Sequence, residues 1–419
     1  MPDSTALITN DAAVLGLLAL ILGAVFYTER SSLSFWRSFY KYVPALLLCY
    51  FVPSLFNTFG VIDAGESDLY FVASRYLLPA CLVLLTMSTD LPAILRLGHR
   101  AIIMFLTGTV GVVLGGPIAI LLVSMVSPET VGGAGPDAVW RGMTTLAGSW
   151  IGGGANQAAM KEVFDVGDDL FSQMIAVDVL CASLWMAILL FLAGRSAAID
   201  ARLGADTRAI DDLKVRVEKF QEQHARQTSF HDLIFLLAIS FGATGFAHFA
   251  ADWLAPWIAE TAPGLDRYSL TSDFFWIVVI ATTAGVALSF TRARNFEGAG
   301  ASKIGSAFLY VLIATIGMNM DITATLENPG LFAVGGIWLS VHALLLIVVA
   351  RLIRAPLFYM AVGSQANIGG AASAPVVAAA FHPSLASVGV LLAVLGYALG
   401  TYGGWLTGQL MRAVAPGGP

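Results

Sequence analysis

The chain has 419 residues, of which 57% are hydrophobic and 12% are charged, and its mean hydropathy is +0.78. A soluble domain carries about 25% charged residues, so the composition excludes a soluble or nucleic-acid-binding protein and predicts an all-α polytopic membrane protein. The formal net charge of −6 says little more, because the placement of Lys and Arg among the loops matters more in a membrane protein than their sum.

Ten apolar runs predict membrane-spanning helices. No basic segment follows Met1, so no cleaved signal peptide is expected. Cys49, Cys81 and Cys181 lie within apolar runs and are predicted to be buried, with no disulfide and no transition-metal site. In chain order the predicted spans are about 12–28, 42–58, 69–88, 101–126, 171–193, 232–250, 273–291, 304–320, 331–350 and 384–410.

Two further apolar segments, about 139–163 and 355–380, are interrupted by small and polar residues. The first contains GSWIGGGANQ at 148–157, and the second contains GSQANIGGAAS at 363–373. Glycine is a poor helix former and lets backbones approach closely, and broken backbone at membrane depth survives only inside protein or beside a cavity. Each segment is therefore predicted to be a re-entrant or broken helical hairpin, the best sequence indication of a transporter binding site.

Loop charges give the predicted orientation, because Lys and Arg favour the cytoplasmic side. The first loop contains Arg30 and Arg37, the next is acidic, and this alternation continues until the Lys- and Arg-rich stretch 195–231, which we expect to be cytoplasmic. A full crossing by 139–163 would place that stretch outside, whereas a re-entrant hairpin removes the conflict. In the second half of the chain, basic and acidic loops alternate in the opposite sense.

The same plan thus occurs twice with inverted topology: five spans plus one hairpin in residues 1–194, and again in 232–419. The polar segment 195–231 joins the two repeats as a cytoplasmic linker, for which a regulatory role stays open. Both termini are predicted to lie outside the cytoplasm, in what is expected to be a bacterial inner membrane.

Two sequence echoes support the duplication. Met87–Leu91 and Met318–Ile322 end corresponding spans, and Ile151–Gly153 matches Ile368–Gly370 in the two hairpins. Inverted repeats bring corresponding segments together about a pseudo-two-fold axis in the membrane plane. We therefore predict that the two hairpin tips meet, within about 15 Å of each other, and that a solute binds between them.

Asp178 is the candidate cation ligand, because it lies deep in the apolar run 171–192, where an ionisable side chain is costly and usually functional. It is expected near the first hairpin and is predicted to bind Na⁺ or to exchange a proton. The alternative is a structural carboxylate neutralised by a helix N-terminus, by Lys161 or by Arg75. Hydroxyl oxygens of Thr145 and Ser373 are predicted to complete the cation site.

Polar groups and glycines of both hairpins form the predicted solute site, because half-helix N-termini attract anions and neutral amides select by hydrogen bonding. The alternative is that these groups only satisfy broken backbone or join helices. His342 is interpreted as a helix-packing residue rather than a proton relay. Trp150, Trp185, Trp276 and Trp338 are interpreted as packing residues or interface anchors. The predicted solute-binding residues are Ser149, Gly152, Gly153, Asn156, Gln157, Ser364, Gln365, Asn367, Gly369 and Gly370.

The motifs GSWIGGGANQAAMKE (148–162) and GSQANIGGAASAPV (363–376) resemble the uncharacterised membrane-protein family known as domain of unknown function 819, over almost the whole chain. The architecture also resembles that of sodium–glutamate and sodium–citrate symporters, whose paired re-entrant hairpins carry substrate by an elevator movement. This resemblance implies a homodimer with a static scaffold and a moving hairpin core, and it does not fix the substrate.

The sequence therefore predicts a cation-coupled secondary transporter of a small polar, anionic organic solute such as a carboxylate, an amino acid or a small peptide. It is not expected to be an enzyme, and Na⁺ or H⁺ is expected to be its coupling ion, with no other cofactor. One alternative is a Na⁺/H⁺ antiporter without an organic substrate, which needs only the carboxylate. Another is an intramembrane hydrolase, which would need paired acids, a metal or a Ser/His constellation in the apolar core.

Overall fold

The structure is a computed structural model that describes residues 7–40, 43–64, 67–89, 94–95, 97–205, 228–320, 328–382 and 385–416. The described residues are almost entirely helical, and the one β-contact among them is an isolated bridge between Ile8 and Ile62. The predicted all-α class is therefore confirmed. Asp90, Asp321 and most of the predicted linker lie outside the described residues.

The α-helices vary widely in length, and short 3₁₀ helices connect several of them. A π-helical turn at Ala73–Leu77 joins α4 to α5 just before Pro79. The helices are α1 (Asp11–Glu29), α2 (Ser34–Tyr40), α3 (Ala45–Thr58), α4 (Leu69–Val72), α5 (Leu78–Met87), α6 (His99–Ser124), α7 (Val139–Val163), α8 (Asp168–Ala193), α9 (Ser196–Leu203), α10 (Phe230–Thr261), α11 (Asp273–Ser289), α12 (Ala301–Asn319), α13 (Gly330–Leu352), α14 (Leu357–Ile368), α15 (Gly370–Phe381) and α16 (Ala386–Val414).

Eight of the described helical segments are long and apolar enough to cross a membrane. They coincide with predicted spans, whereas α3 and α11, with 14 and 17 residues, reach that length only when each is joined to a neighbouring bent helix. Length and composition therefore give eight to ten spans. The inverted relation between the two halves stays a prediction.

Side-chain caps begin several of the long helices where the sequence provides a polar residue. The Asn10 carboxamide accepts from the N–H of Ala13 at the start of α1. Ser229 and Asp232 form a capping box at the start of α10, each side chain accepting from the other residue's backbone N–H. These bonds satisfy N–H groups that have no partner within the helix.

The first hairpin is α7, which reverses direction at Gly153. This glycine has φ +73° and ψ −174°, values outside the helical range, and it separates the arms 139–152 and 154–163. A methyl group on Gly148 would lie 2.5 Å from the carbonyl oxygen of Asn156, eight residues later. The Arg141 guanidinium donates to the Phe164 carbonyl, so the two ends of the hairpin lie side by side.

The second hairpin is formed by α14 and α15, with its tip at Gly369 and Gly370. Gly370 has φ +57°, a left-handed conformation that a residue without Cβ adopts readily. Near the opposite end, the Phe358 and Phe381 rings pack edge to face with centroids 5.4 Å apart. The two arms therefore run back along each other.

Helix α16 packs along the first hairpin through glycines spaced four residues apart. A methyl group on Gly396 would lie 2.5 Å from the Ile151 carbonyl oxygen, and one on Gly400 would lie 2.6 Å from the Cα of Gly152. Gly404 faces Gly148 and Met160, and Gly408 faces Phe164 and Thr144. We call Gly396, Gly400, Gly404 and Gly408 the glycine stripe. It lets the hairpin backbone approach α16 more closely than side chains would permit.

The predicted orientation can be tested by cysteine labelling, because Cys49, Cys81 and Cys181 are all buried and give little background. In intact cells, an impermeant maleimide is expected to label Ala134→Cys, in the loop predicted to lie outside. It is expected to spare Ala205→Cys, in the linker predicted to be cytoplasmic, until the membrane is permeabilised. Labelling of the 205 variant in intact cells would overturn the proposed orientation.

Candidate functional site

The tips of the two hairpins are in contact. A methyl group on Gly370 would lie only 3.9 Å from the Cα of Gly153. The predicted meeting of the tips is therefore observed, well within the 15 Å that a shared site requires. Gly153 and Gly154 are half-buried and Ala372 is exposed, so the contact lies at an accessible part of the helix bundle.

Two helix N-termini begin at this contact. The second arm of the first hairpin starts after Gly153, and α15 starts at Gly370 with no side-chain cap. The first N–H groups of a helix lack partners within it, and this end carries the positive pole of the helix dipole. The tip contact therefore brings together two partially positive N-terminal ends, which favour an anion, beside the partially negative C-terminal ends of the preceding arms.

Asp178, on α8, lies against the first hairpin and accepts three hydrogen bonds from it. The Ser149 hydroxyl donates to Oδ2 over 2.6 Å, and the Gln157 Nε2 donates to the same oxygen over 3.0 Å. The Trp150 indole N–H donates to Oδ1 over 2.7 Å. Ser149 and Trp150 belong to one arm and Gln157 to the other, so this single carboxylate joins both arms to α8.

The charges at the base of the first hairpin pair with each other. Lys161 is buried and its ammonium lies 2.9 Å from Oδ1 of Asp168 and 3.0 Å from the Tyr70 hydroxyl. Arg75 lies 3.6 Å from Glu162, which also accepts from Tyr70. The hypothesis that Lys161 or Arg75 neutralises Asp178 is therefore wrong for this conformation: the bonds to Asp178 come from three neutral donors.

Asn156 fastens the first hairpin to α16. Its amide nitrogen donates to the carbonyls of Gly152, at 2.9 Å, and Tyr397, at 3.3 Å, while its oxygen accepts from Thr401 at 2.7 Å. The Thr401 hydroxyl in turn lies 3.1 Å from that of Thr282 on α11. Both the nitrogen and the oxygen of the carboxamide are thus engaged within the protein, and a role in binding solute stays a prediction.

Asn367 fastens the second hairpin to α6 with the same pattern of bonds. Its nitrogen donates to the carbonyls of Gly363, at 2.9 Å, and Phe105, at 3.0 Å, and its oxygen accepts from Thr109 at 2.8 Å. In both hairpins, the asparagine therefore binds the carbonyl four residues earlier and a carbonyl–threonine pair on the neighbouring helix. This common pattern makes a structural role for both asparagines evident, whatever else they do.

Ser364 is the centre of a buried hydrogen-bond chain across four helical elements. The Trp185 indole N–H donates to its hydroxyl at 2.8 Å, and the hydroxyl lies 2.8 Å from Nε2 of His342. The Nδ1 of His342 lies 2.9 Å from the carbonyl oxygen of Gly108. Because an indole only donates and a carbonyl only accepts, a neutral His342 must donate from Nδ1 and accept from Ser364 at Nε2. His342 and Trp185 therefore do more than pack, which the sequence interpretation missed.

The residues of the predicted cation site bond to different partners. The Thr145 hydroxyl donates to the Gly142 carbonyl at 2.7 Å, and the Ser373 hydroxyl accepts from Nε2 of Gln365 at 2.7 Å. Neither of these bonds involves Asp178. The structure thus shows two separate polar clusters, one between Asp178 and the first hairpin and one within the second hairpin.

Several residues of this region were not found by sequence reasoning. Thr401 and Thr282 each look like an isolated polar residue in an apolar helix, and only the fold brings them to Asn156. The glycine stripe did have a signal in the sequence, since four glycines at intervals of four residues mark one face of a helix.

Comparisons with known proteins identify a family and a membrane-protein relative. Residues 16–414 match the family model described as "Protein of unknown function (DUF819)", and the chain belongs to that family. It is also 24% identical, over 375 residues, to an uncharacterised membrane protein, YjcL, of Bacillus subtilis (strain 168). The match covers 85% of this chain and 86% of the relative.

Proposed function

We propose that this protein is a secondary active transporter for a small anionic organic solute. The observation that carries the proposal is the contact between two helical hairpins, Gly153 against Gly370, inside a bundle of apolar helices. Interrupted membrane helices whose ends converge are the usual construction of a transporter site. A purely structural membrane protein has no need of such interruptions.

The proposed solute class follows from the charge at the tips. Two helix N-termini meet there, and the residues of the second hairpin, 357–381, include no Asp, Glu, Lys or Arg. A carboxylate, an amino acid or a small peptide offers the negative group that such N-termini bind. Ser149, Gly152, Gly369 and the other predicted residues would then contact the solute once the tips separate.

Coupling to a cation is proposed from Asp178. Thr145 and Ser373, which the sequence groups with it, bond to Gly142 and to Gln365 instead, so their part in the Asp178 site stays a sequence-based prediction. Asp178 is buried among three neutral donors, so a cation or a proton could change its charge balance. The same observation supports the second candidate, a Na⁺/H⁺ antiporter without organic substrate. The two candidates differ in whether any organic solute binds.

An intramembrane hydrolase is the third candidate, because Ser364 and His342 are in hydrogen-bond contact. Three features argue for transport instead. Ser364 and His342 are both fully buried, and the indole N–H of Trp185 donates to the hydroxyl that would have to act as nucleophile. A hydrolase would also leave the meeting of the two tips unexplained. We therefore propose that the protein is not an enzyme and expect no labelling by a fluorophosphonate probe.

The remaining features of the proposal come from the resemblance to elevator-type symporters. We propose a homodimer in a bacterial inner membrane, with both termini outside the cytoplasm and a hairpin core that moves against a static scaffold. No cofactor other than the coupling ion is proposed.

The proposal is tested by thermal unfolding of the purified protein with organic acids, amino acids and dipeptides, each with and without Na⁺. At a solute concentration of 100 times Kd, binding to the folded state adds about 2.7 kcal/mol of stability. We expect at least one anionic solute to raise the Tm and to be taken up by proteoliposomes. Cation exchange without any solute response would favour the antiporter.

A further inference from the structure

The Gln365 side chain, in the second hairpin, has one atom without a partner. Gln365 is 1% exposed, and its Nε2 donates to the Ser373 hydroxyl at 2.7 Å. Its Oε1 is buried and has no hydrogen-bond partner among the described residues. An unpaired buried acceptor costs about 1–3 kcal/mol, and such atoms in native proteins generally have an explanation, such as an ion or a water.

The position of this oxygen is built by the hairpin tip. Gln365 lies one turn before the end of α14, and Ser373 lies in the first turn of α15. Both side chains cross over Gly369, where a methyl group would lie 1.8 Å from the Ser373 Oγ and 2.3 Å from the Gln365 Nε2. Any side chain at position 369 would displace this pair, so the polar cluster requires the glycine.

The surroundings of the oxygen favour a cation. α14 ends at Ile368, so its last carbonyl groups lack partners within the helix and form the negative pole of its dipole. The N–H of Gly369 donates to the carbonyl of Gln365. The carbonyl groups of Ala366, Asn367 and Ile368 are then the ones nearest the tip. Amide, hydroxyl and backbone oxygens are ligands for hard cations.

The absence of acidic residues from the hairpin sequence points to a monovalent ion. Residues 357–381 contain no Asp or Glu, whereas tight Ca²⁺ sites depend on the charge of several carboxylates. Half-helix C-terminal ends and unwound carbonyls are groups that coordinate Na⁺ in transporters. We propose that the second hairpin binds Na⁺ at the C-terminal end of α14, with Gln365 Oε1 and Ser373 Oγ as side-chain ligands.

This inference rests on the proposed transport function and deepens it by naming the coupling ion and its site. The site lies within one turn of Gly370, which touches the tip of the first hairpin. Bound Na⁺ would hold Gln365, Ser373 and the tip in one arrangement and so prepare the N-terminus of α15 for the solute. Asp178, on α8 against the first hairpin, is a different site.

The test is thermal unfolding of the purified full-length protein in NaCl, with choline chloride keeping the ionic strength constant. We expect Na⁺ to raise the Tm of the wild type. Gln365→Leu or Ser373→Ala should need an at least tenfold higher NaCl concentration for the same rise, since the loss even of a group that only supports a metal ligand typically costs about 10–100-fold in affinity. Gln365→Leu also removes the unpaired oxygen, so without Na⁺ this variant is expected to fold with a Tm close to that of the wild type.

Two further variants serve as controls. Gln365→Glu keeps Oε1 and adds a negative charge, so it is expected to retain or strengthen the response to Na⁺. Gln409→Leu, in α16, removes a buried amide whose unpaired atom is the nitrogen, and its response to Na⁺ is expected to equal that of the wild type.

The outcomes separate this inference from the proposed function. An equal response to Na⁺ in the wild type and Gln365→Leu would overturn the Na⁺ site, even if solutes bind and are transported. A response that depends on Gln365, in a protein that binds and transports no solute, would support the Na⁺ site and overturn the proposed transport of an organic anion.

Discussion

Replacement of Gly153 or of Gly370 by valine is expected to abolish solute transport. Both glycines have positive φ, +73° and +57°, and such backbone conformations cost a residue with a Cβ about 1–3 kcal/mol. The added bulk would also enter the contact between the tips, because a Cβ at Gly370 already lies 3.9 Å from Gly153. A Cβ at Gly153 would lie 3.3 Å from the Tyr397 ring.

A misplacement of about 1 Å at a binding site can lower a rate about 10²-fold, and we expect uptake into proteoliposomes to fall at least that far. Gly60→Val is the matched control, because Gly60 has φ +67° and no atom within 4 Å of its added Cβ. It also places a Cβ on a residue with positive φ, but away from the tips, and should transport normally. If Gly153→Val transports solute at the wild-type rate, the tip contact is not part of the solute site.

Replacement of Asp178 by asparagine is expected to remove the dependence of solute binding on the coupling cation. The amide keeps the volume of the carboxylate and loses the charge that a cation or proton would balance. If Na⁺ binds at Gln365, we expect Asp178→Asn to lose the pH dependence of solute binding rather than its Na⁺ dependence. The prediction is tested by measuring the solute affinity of this variant and of the wild type by thermal shift at several pH values and NaCl concentrations.

The same substitution is also expected to lower the Tm. The asparagine would direct its NH₂ group at a site lined by the donors of Ser149, Trp150 and Gln157, and an unsatisfied buried donor costs about 1–3 kcal/mol. Gln157→Ala removes one donor but keeps the carboxylate, so it should retain the cation dependence. Asp169→Asn changes an exposed charge on the same helix and should behave as wild type. Unchanged affinity and cation dependence in Asp178→Asn would make Asp178 a structural residue.

Much of this architecture could be predicted because it follows from local chemistry. Runs of glycine with polar residues inside apolar sequence indicate interrupted helices, and the matched positions of Gly153 and Gly370 predicted that the tips meet. The burial of Asp178 followed from its apolar neighbours in the chain. The proximity of Asp178 to the first hairpin followed from the short connection between them.

The partners of the polar residues could not be predicted, because they depend on which helices pack together. Asn156 and Asn367 are predicted from the sequence to face a solute. In the structure, their carboxamides form hydrogen bonds with carbonyl and threonine hydroxyl groups of α16 and α6, respectively. His342 is interpreted from the sequence as a packing residue, because a histidine among apolar neighbours is more often that than a proton relay. Its partners, Gly108 and Ser364, are 234 and 22 positions away.

The linker between the halves is also a support for the second hairpin. Asp200, on α9, is buried and accepts from the N–H of Leu357, at the start of α14, over 2.8 Å. Burial raises the pKa of this carboxyl, and the hydrogen bond from Leu357 opposes that rise. The base of the second hairpin is thus held by a residue from outside its own half of the chain.

The glycine stripe on α16 has a consequence for the register of the first hairpin. Glycines recur every four residues, so the surface that α16 presents repeats about every 6 Å, close to one helical turn. A hairpin displaced along α16 by that step would meet glycines again, so the glycine stripe alone would scarcely distinguish the two positions. The bonds from Asn156 to Tyr397 and Thr401 distinguish them, as does the Tyr397 ring against Gly153. Hydrogen bonding therefore helps to set where the first hairpin rests on α16.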